Sequence, residues 1–361
     1  MIYFISLYYI IFLLSLVDFY YKYRKILSFI IILILSLFVG LRYGNKDYFN
    51  YVLFFDQTPD ISNFFTVLFS GVPIGIVEPG FYFFNSLVKI FTNNLEIYFF
   101  ILCFISLYLL LYSFSKLHKN YLIIFLIGVS SIFIGTYFTQ VRQGLALGFS
   151  AIAIMYLIYH KNKKFWFFSI VAFFIHTSAI AIFILPLFRN IKFKRIYIIF
   201  IPIALIVNKL HIDYLLLNFL GSILGDGHIA DKINLFFFSG RENRTISMIS
   251  GINILVSFLI ISMVLFKHKI RKEINWIDFL IWTLVIGLFY YNIFSSAGEV
   301  AGRLFREMTI LMPFAIYFTY TSLNVQKYFS YWLLSVVIGI FFLYYGHAGE
   351  GFYDYESRVL F

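Results

Sequence analysis

Tyr137-Phe138-Thr139-Gln140-Val141-Arg142-Gln143-Gly144-Leu145-Ala146-Leu147 sets one arginine between two apolar stretches, 121–138 and 143–159, each near the length that crosses a bilayer. An arginine at the centre of a spanning helix costs about 3 kcal/mol on insertion scales and more in simulations. Arg142 therefore needs a ligand or an ion-pair partner, unless it snorkels from a helix end to the interface. On either side of it, the 361 residues are 62% hydrophobic and only 12% charged, more apolar surface than a water-soluble fold can hide. The composition predicts an all-α, polytopic integral membrane protein with about 11–13 transmembrane or re-entrant helices.

Candidate spans are 2–17, 26–41, 95–115, 121–138, 143–159, 165–188, 196–209, 246–266, 276–294, 304–322 and 328–345. They leave no room for a separate soluble domain, so 1–361 is expected to form a single membrane domain with outer loops 42–80 and 210–245. The first span follows no basic leader or small-residue cleavage site and is expected to be retained. Basic clusters at Lys22/Arg24/Lys25, Lys116/Lys119, Lys161/Lys163/Lys164, Arg189/Lys192/Lys194/Arg195 and Lys267/Lys269/Arg271/Lys272 mark the cytoplasmic side. The net charge of +11 is thus dispersed over short loops as a topology signal, and nucleic acid is not an expected partner. Phe165 to Phe188 breaks the pattern, because both its ends are basic and its length is too short for two crossings. It is expected to re-enter or break near Ile175-His176-Thr177-Ser178, where polar residues interrupt the apolar run. Phe81 to Phe91 is expected to be a short helix dipping into the membrane.

With the basic loops inside, the other charges gather outside: Arg42, Lys46, Asp47, Asp56, Asp60 and Glu78, then Arg142, then a loop from Asp213 to Arg244, and finally Glu299, Arg303, Arg306 and Glu307. Several arginines beside carboxylates at one membrane surface suit a pyrophosphate, whose oxygens match the guanidinium fork. A carboxylate among them could accept a proton from an attacking hydroxyl. No metal site is expected, because His211, Asp213, Asp226, His228 and Asp231 follow no ligand spacing. No cofactor is expected either: nucleotide-binding glycine motifs are absent, and the lone Cys103 cannot form an intrachain disulfide.

Four pieces, in order, resemble EpsG-family proteins. They are Gly40-Leu41-Arg42-Tyr43-Gly44-Asn45-Lys46-Asp47-Tyr48-Phe49-Asn50-Tyr51, Glu78-Pro79-Gly80-Phe81-Tyr82-Phe83-Phe84-Asn85, Val141-Arg142-Gln143-Gly144-Leu145-Ala146, and Ala172-Phe173-Phe174-Ile175-His176-Thr177-Ser178-Ala179. Gly302-Arg303-Leu304-Phe305-Arg306 is a looser match to a late family element. The resemblance implies a Wzy-like polysaccharide polymerase, with a GT-C-like arrangement as one form of the fold. Such an enzyme joins undecaprenyl-pyrophosphate-linked repeat units at the outer face of the bacterial inner membrane, alongside a flippase and a chain-length regulator. It points to Asp47 as base with Glu78 next, to Arg142, Arg42, Arg303 and Arg306 as pyrophosphate ligands, and to His176 as functional.

Each residue also has a plainer role open to it. Asp47 can be a solvated or capping carboxylate, and Glu78 a favourable charge at a helix start. Arg303 can pair with Glu299 or Glu307, four residues away. His176 can be a hydrogen-bonded structural residue that shapes the break, where the functional reading has it bind phosphate or relay a proton. Alternative functions for the whole chain are a lipid-linked oligosaccharide flippase, an O-antigen ligase or an O-acetyltransferase.

Overall fold

The computed structural model describes residues 23–44, 47–69, 78–210, 212–213, 245–323 and 356–357. The expected spans 2–17 and 328–345, Lys46, and the loop 210–245 apart from 210, 212–213 and 245 lie outside them, as do His211, Asp226, His228 and Asp231. The described chain is all-α apart from a two-residue antiparallel pairing of β1 (Arg42–Tyr43) with β2 (Glu356–Ser357). It divides into two compact units, 1–180 with 325–361, and 181–324.

In the first unit, α1 (Arg24–Gly40) packs on α5 (Leu95–Leu117), and α5 packs on α7 (Val141–Ile158). Asn94 caps α5 by accepting from the Ile97 N–H at 2.9 Å. Gly148 permits the α5–α7 approach, since a Cβ there would lie 2.9 Å from the Ser106 carbonyl oxygen. These two are the described helices long and apolar enough to cross a membrane. The region expected as outer loop 42–80 instead contains two short helices, α2 (Tyr48–Asp56) and α3 (Ile61–Phe69), before α4 (Pro79–Lys89). Both are aromatic-rich: Phe55 stacks on Tyr98 of α5 at 4.2 Å, and Phe64 meets Phe83 of α4 at 5.3 Å.

Helix α6 (Tyr121–Ile132) loosens into a π-helical turn over Phe133–Thr139 immediately before α7. After α8 (Asn162–Ile175) the backbone extends at His176 and resumes as a 3₁₀ helix over Thr177–Ile184 and α9 (Leu185–Phe188). The break falls inside the polar tetrad where the sequence predicts one.

The second unit contains a 3₁₀ turn (Arg195–Ile199), α10 (Phe200–Lys209), α11 (Gly251–Leu265), α12 (Lys267–Arg271) and α13 (Ile277–Ile293). Buried Asn253 and Asn292 join α11 to α13 through reciprocal amide bonds of 3.0 and 2.9 Å. The expected single span 304–322 is two helices, α14 (Gly298–Met308) and α15 (Met312–Ser322). Pro313 lies in the first turn of α15, where its missing N–H and fixed φ start a helix and cannot continue one.

Outward faces in both units are strongly apolar. Phe167 and Phe174 on α8, Ile26 and Phe29 on α1, and Ile254 and Phe258 on α11 are all exposed. Surface of this kind would draw aggregation in water and is at ease against acyl chains.

Candidate functional site

Three interruptions of helical structure meet in the first unit: the start of α4, the start of α7 and the end of α8. Glu78 is the N-cap of α4, with Pro79 behind it, so its carboxylate sits at the positive end of that helix. Arg142 lies in the first turn of α7, where the helix dipole disfavours a cation. Its Nη1 meets Glu78 Oε2 at 2.8 Å, with the side chains 19% and 15% exposed. This is a charge contact without hydrogen-bond alignment, since Glu78 Oε2 and the buried Arg142 Nε have no directional partner among the described residues. Glu78 Oε1 accepts from both the N–H and the hydroxyl of Thr177, each at 3.2 Å. One carboxylate therefore ties all three breaks together.

Gly80 makes the clasp possible. A Cβ at that position would lie 2.6 Å from the Phe174 carbonyl oxygen, so only glycine lets α4 come so close to the end of α8. His176 shapes the other side of the break. Only 4% exposed, it holds the extended backbone between helices. Its Nδ1 accepts from the Ser178 N–H at 3.2 Å and lies 2.8 Å from the Ser178 hydroxyl. That acceptance places the proton of a neutral ring on Nε2.

Arg42 stands just past α1 and is 1% exposed. Its guanidinium lies over the Phe99 ring at 4.2 Å and near Phe138 at 5.4 Å. Burial lowers its pKa to about 10, so it remains a cation at neutral pH. Tyr51, on α2, links this cation to Arg142: its hydroxyl accepts from the Arg142 N–H at 3.4 Å, and both arginines act electrostatically on it. Burial raises the Tyr51 pKa overall, so the phenol keeps its proton. Aromatic rings wall the pair of cations, with Phe81 6.0 Å from the Arg142 guanidinium and 6.1 Å from Tyr51. Asp47 precedes Tyr51 by one helical turn. It takes a left-handed φ of 65° after Gly44 at 70°, and its carbonyl accepts from the Tyr51 N–H. Its charge is felt at the same phenol.

The structure therefore places Arg42, Asp47, Glu78, Arg142 and His176 in one unit, with the first four gathered about Tyr51 and the α4 start. Arg303 and Arg306 belong to the second unit, on α14. There Arg303 pairs with Glu299 one turn earlier, Nε at 3.0 Å and Nη2 at 2.8 Å from one oxygen. Asp213 is buried and accepts from the Ser296 N–H at 2.7 Å, holding the entry to α14. Tyr51 and Thr177 carry no role in the sequence reading. Both lie inside pieces that resemble the family, Tyr51 at the end of 40–51 and Thr177 within 172–179, but an aromatic residue and a hydroxyl there do not by themselves single out a ligand.

The sequence model of the EpsG family matches residues 25–357. The chain belongs to the EpsG family. Membership carries a role related to polysaccharide polymerisation and a membrane setting. No curated protein and no solved structure matches the chain. The family match spans every break described above, so the clasp of Glu78, Arg142 and Thr177 lies wholly within the EpsG region.

Proposed function

We propose that this EpsG-family protein is a polytopic membrane glycosyltransferase. It polymerises undecaprenyl-pyrophosphate-linked repeat units at the outer face of the bacterial inner membrane, supplied by a flippase and measured by a chain-length regulator. The observation that carries this reading is the pair Arg42 and Arg142 about Tyr51, two cations walled by aromatic rings beside carboxylates. A pyrophosphate there meets fixed positive charge in a medium that screens it poorly.

In the proposed reaction, a hydroxyl of the incoming repeat unit attacks the anomeric carbon of the growing chain. The new C–O bond forms as the bond to the undecaprenyl pyrophosphate breaks, and the bonding pair leaves with the phosphate. Arg142 and Arg42 stabilise that departing charge, and a carboxylate takes the hydroxyl proton. Asp47 is assigned as this base. Glu78 has one oxygen on Thr177 and the other against Arg142, which suits orienting the arginine. His176 is assigned to holding the break; Arg303 and Arg306, which belong to the second unit, are given no part in this step.

The test is ladder analysis of surface glycan in a deletion strain complemented with variants of confirmed expression. Arg142→Ala and Asp47→Asn are each expected to abolish long chains while single repeat units still reach the surface. A full ladder from Asp47→Asn would remove Asp47 as base. An unchanged ladder in the deletion strain, with no second polymerase, would overturn the polymerase reading. Lipid-linked units trapped inside the cell would point to a flippase.

A further inference from the structure

Two basic segments far apart in sequence are fastened together in the second unit. Asp278, in the first turn of α13, accepts from the Phe193 N–H at 2.9 Å and pairs with both Lys267 and Arg271. Lys267 also donates to the Phe193 carbonyl. One turn along α13, the Trp282 indole N–H donates to the Ile191 carbonyl at 3.0 Å, and its ring packs on Phe188 and Phe193 at 5.0 Å each. The segment 189–195 is therefore held along α12 and the start of α13.

The join concentrates charge. Arg189, Lys192, Lys194 and Arg195 come from one segment, and Lys267, Lys269, Arg271 and Lys272 from the other. Against these eight cations stand Glu273 and Asp278, and Asp278 is committed to the joint. Lys192, Lys194, Arg195 and Lys272 are exposed and make no ion pair among the described residues. Leu187, Ile191, Ile196 and Leu265, adjacent in sequence to these segments, are exposed as well. A soluble anion would use the cations and leave that aliphatic border unexplained. A phospholipid uses both, its headgroup phosphate on the bases and its acyl chains on the aliphatic side chains.

We infer that the surface formed by 187–196 and 265–272 binds an anionic phospholipid of the leaflet it faces. The site is separate from the residues assigned to glycosyl transfer and stands whether or not that assignment does. Retention of phosphatidylglycerol against phosphatidylcholine by the full chain, purified in neutral detergent and weighed by native mass spectrometry, tests it. The wild type is expected to retain phosphatidylglycerol. Replacing exposed Lys192, Lys194 and Arg195 together by glutamine is expected to cut retention by roughly tenfold or more.

Asp278→Asn separates a built site from diffuse attraction. It removes a negative charge, so simple electrostatics predicts stronger retention, whereas loss of the joint predicts weaker retention. The inference is overturned if folded Asp278→Asn retains phosphatidylglycerol as well as the wild type. It is equally overturned if Lys161, Lys163 and Lys164→Gln cost as much, or if inorganic phosphate displaces the lipid as effectively as added phosphatidylglycerol does. Should Asp278→Asn melt, the glutamine triple decides, because its side chains are on the surface.

Discussion

At the residue scale, the unusual feature is a cation at the positive end of α7. Arg142 is tolerable there because Glu78, itself at the favourable end of α4, faces it at 2.8 Å with little water between. Removing either partner strands the other charge, so Glu78→Gln and Arg142→Gln are each expected to cost about 3 kcal/mol. The double variant should cost clearly less than the sum, and thermal unfolding of the purified protein measures the difference. Strict additivity would show that the two charges do not support each other. Arg42 makes a separate prediction about pH. Burial lowers its pKa to about 10, so its charge, and the burial penalty on that charge, are constant through neutral pH and ease only above that value. A lysine in the same place starts from a lower ordinary pKa, about 10.4, so the same burial pushes it down toward the neutral range, and it could not stack flat on Phe99. Arg42→Lys should therefore give shorter glycan chains at pH 8 than at pH 6, compared with a wild type whose ladder lacks that trend.

At the scale of elements, the site depends on how helices stop. The start of α4 and the break after α8 can approach only because Gly80 carries no side chain. Gly80→Ala is expected to destabilise by about 1–3 kcal/mol and to separate Glu78 from Thr177. Gly251→Ala, with nothing within 4 Å of the new Cβ, should be nearly neutral in the same melting assay. Two of these stops are legible in the sequence: Glu78-Pro79 reads as a helix start, and Ile175-His176-Thr177-Ser178 as an interruption, because each rests on local chemistry. The split between α14 and α15 is hidden by an apolar run whose one sign is Pro313. Helices α2 and α3 are missed within a segment read as loop, since a short aromatic helix and an aromatic loop share a composition. The gathering of Arg42, Tyr51 and Arg142 has no periodicity to reveal it, because residues some ninety positions apart meet only through packing of α1, α5 and α7.

At the scale of the whole molecule, the course of the chain through the bilayer turns on 162–188. Helix α8 has 14 residues and rises about 21 Å, short of the ~30 Å hydrocarbon core. The 3₁₀ stretch and α9 together rise about 22 Å, so the two arms are nearly equal. Extended backbone at His176 separates them, and the polar groups of the break are satisfied locally: the His176 N–H donates to the Ala172 carbonyl, its carbonyl accepts from the Ala179 N–H, and its ring accepts from the Ser178 N–H. Basic residues stand at both ends, Lys163 and Lys164 before and Arg189 and Lys192 after. Equal arms with like charges at both ends favour a segment that enters and returns to the same face. Cysteines at Lys163 and Arg189, in a chain whose buried Cys103 is changed to alanine, are expected to react with a membrane-impermeant thiol reagent only after the cytoplasmic side is opened. Labelling of the two positions from opposite sides would make 162–188 a crossing element and would reverse the orientation of every later helix. It would also put the basic surface at Asp278 on the outer face, where the cytoplasmic charge bias could no longer account for it.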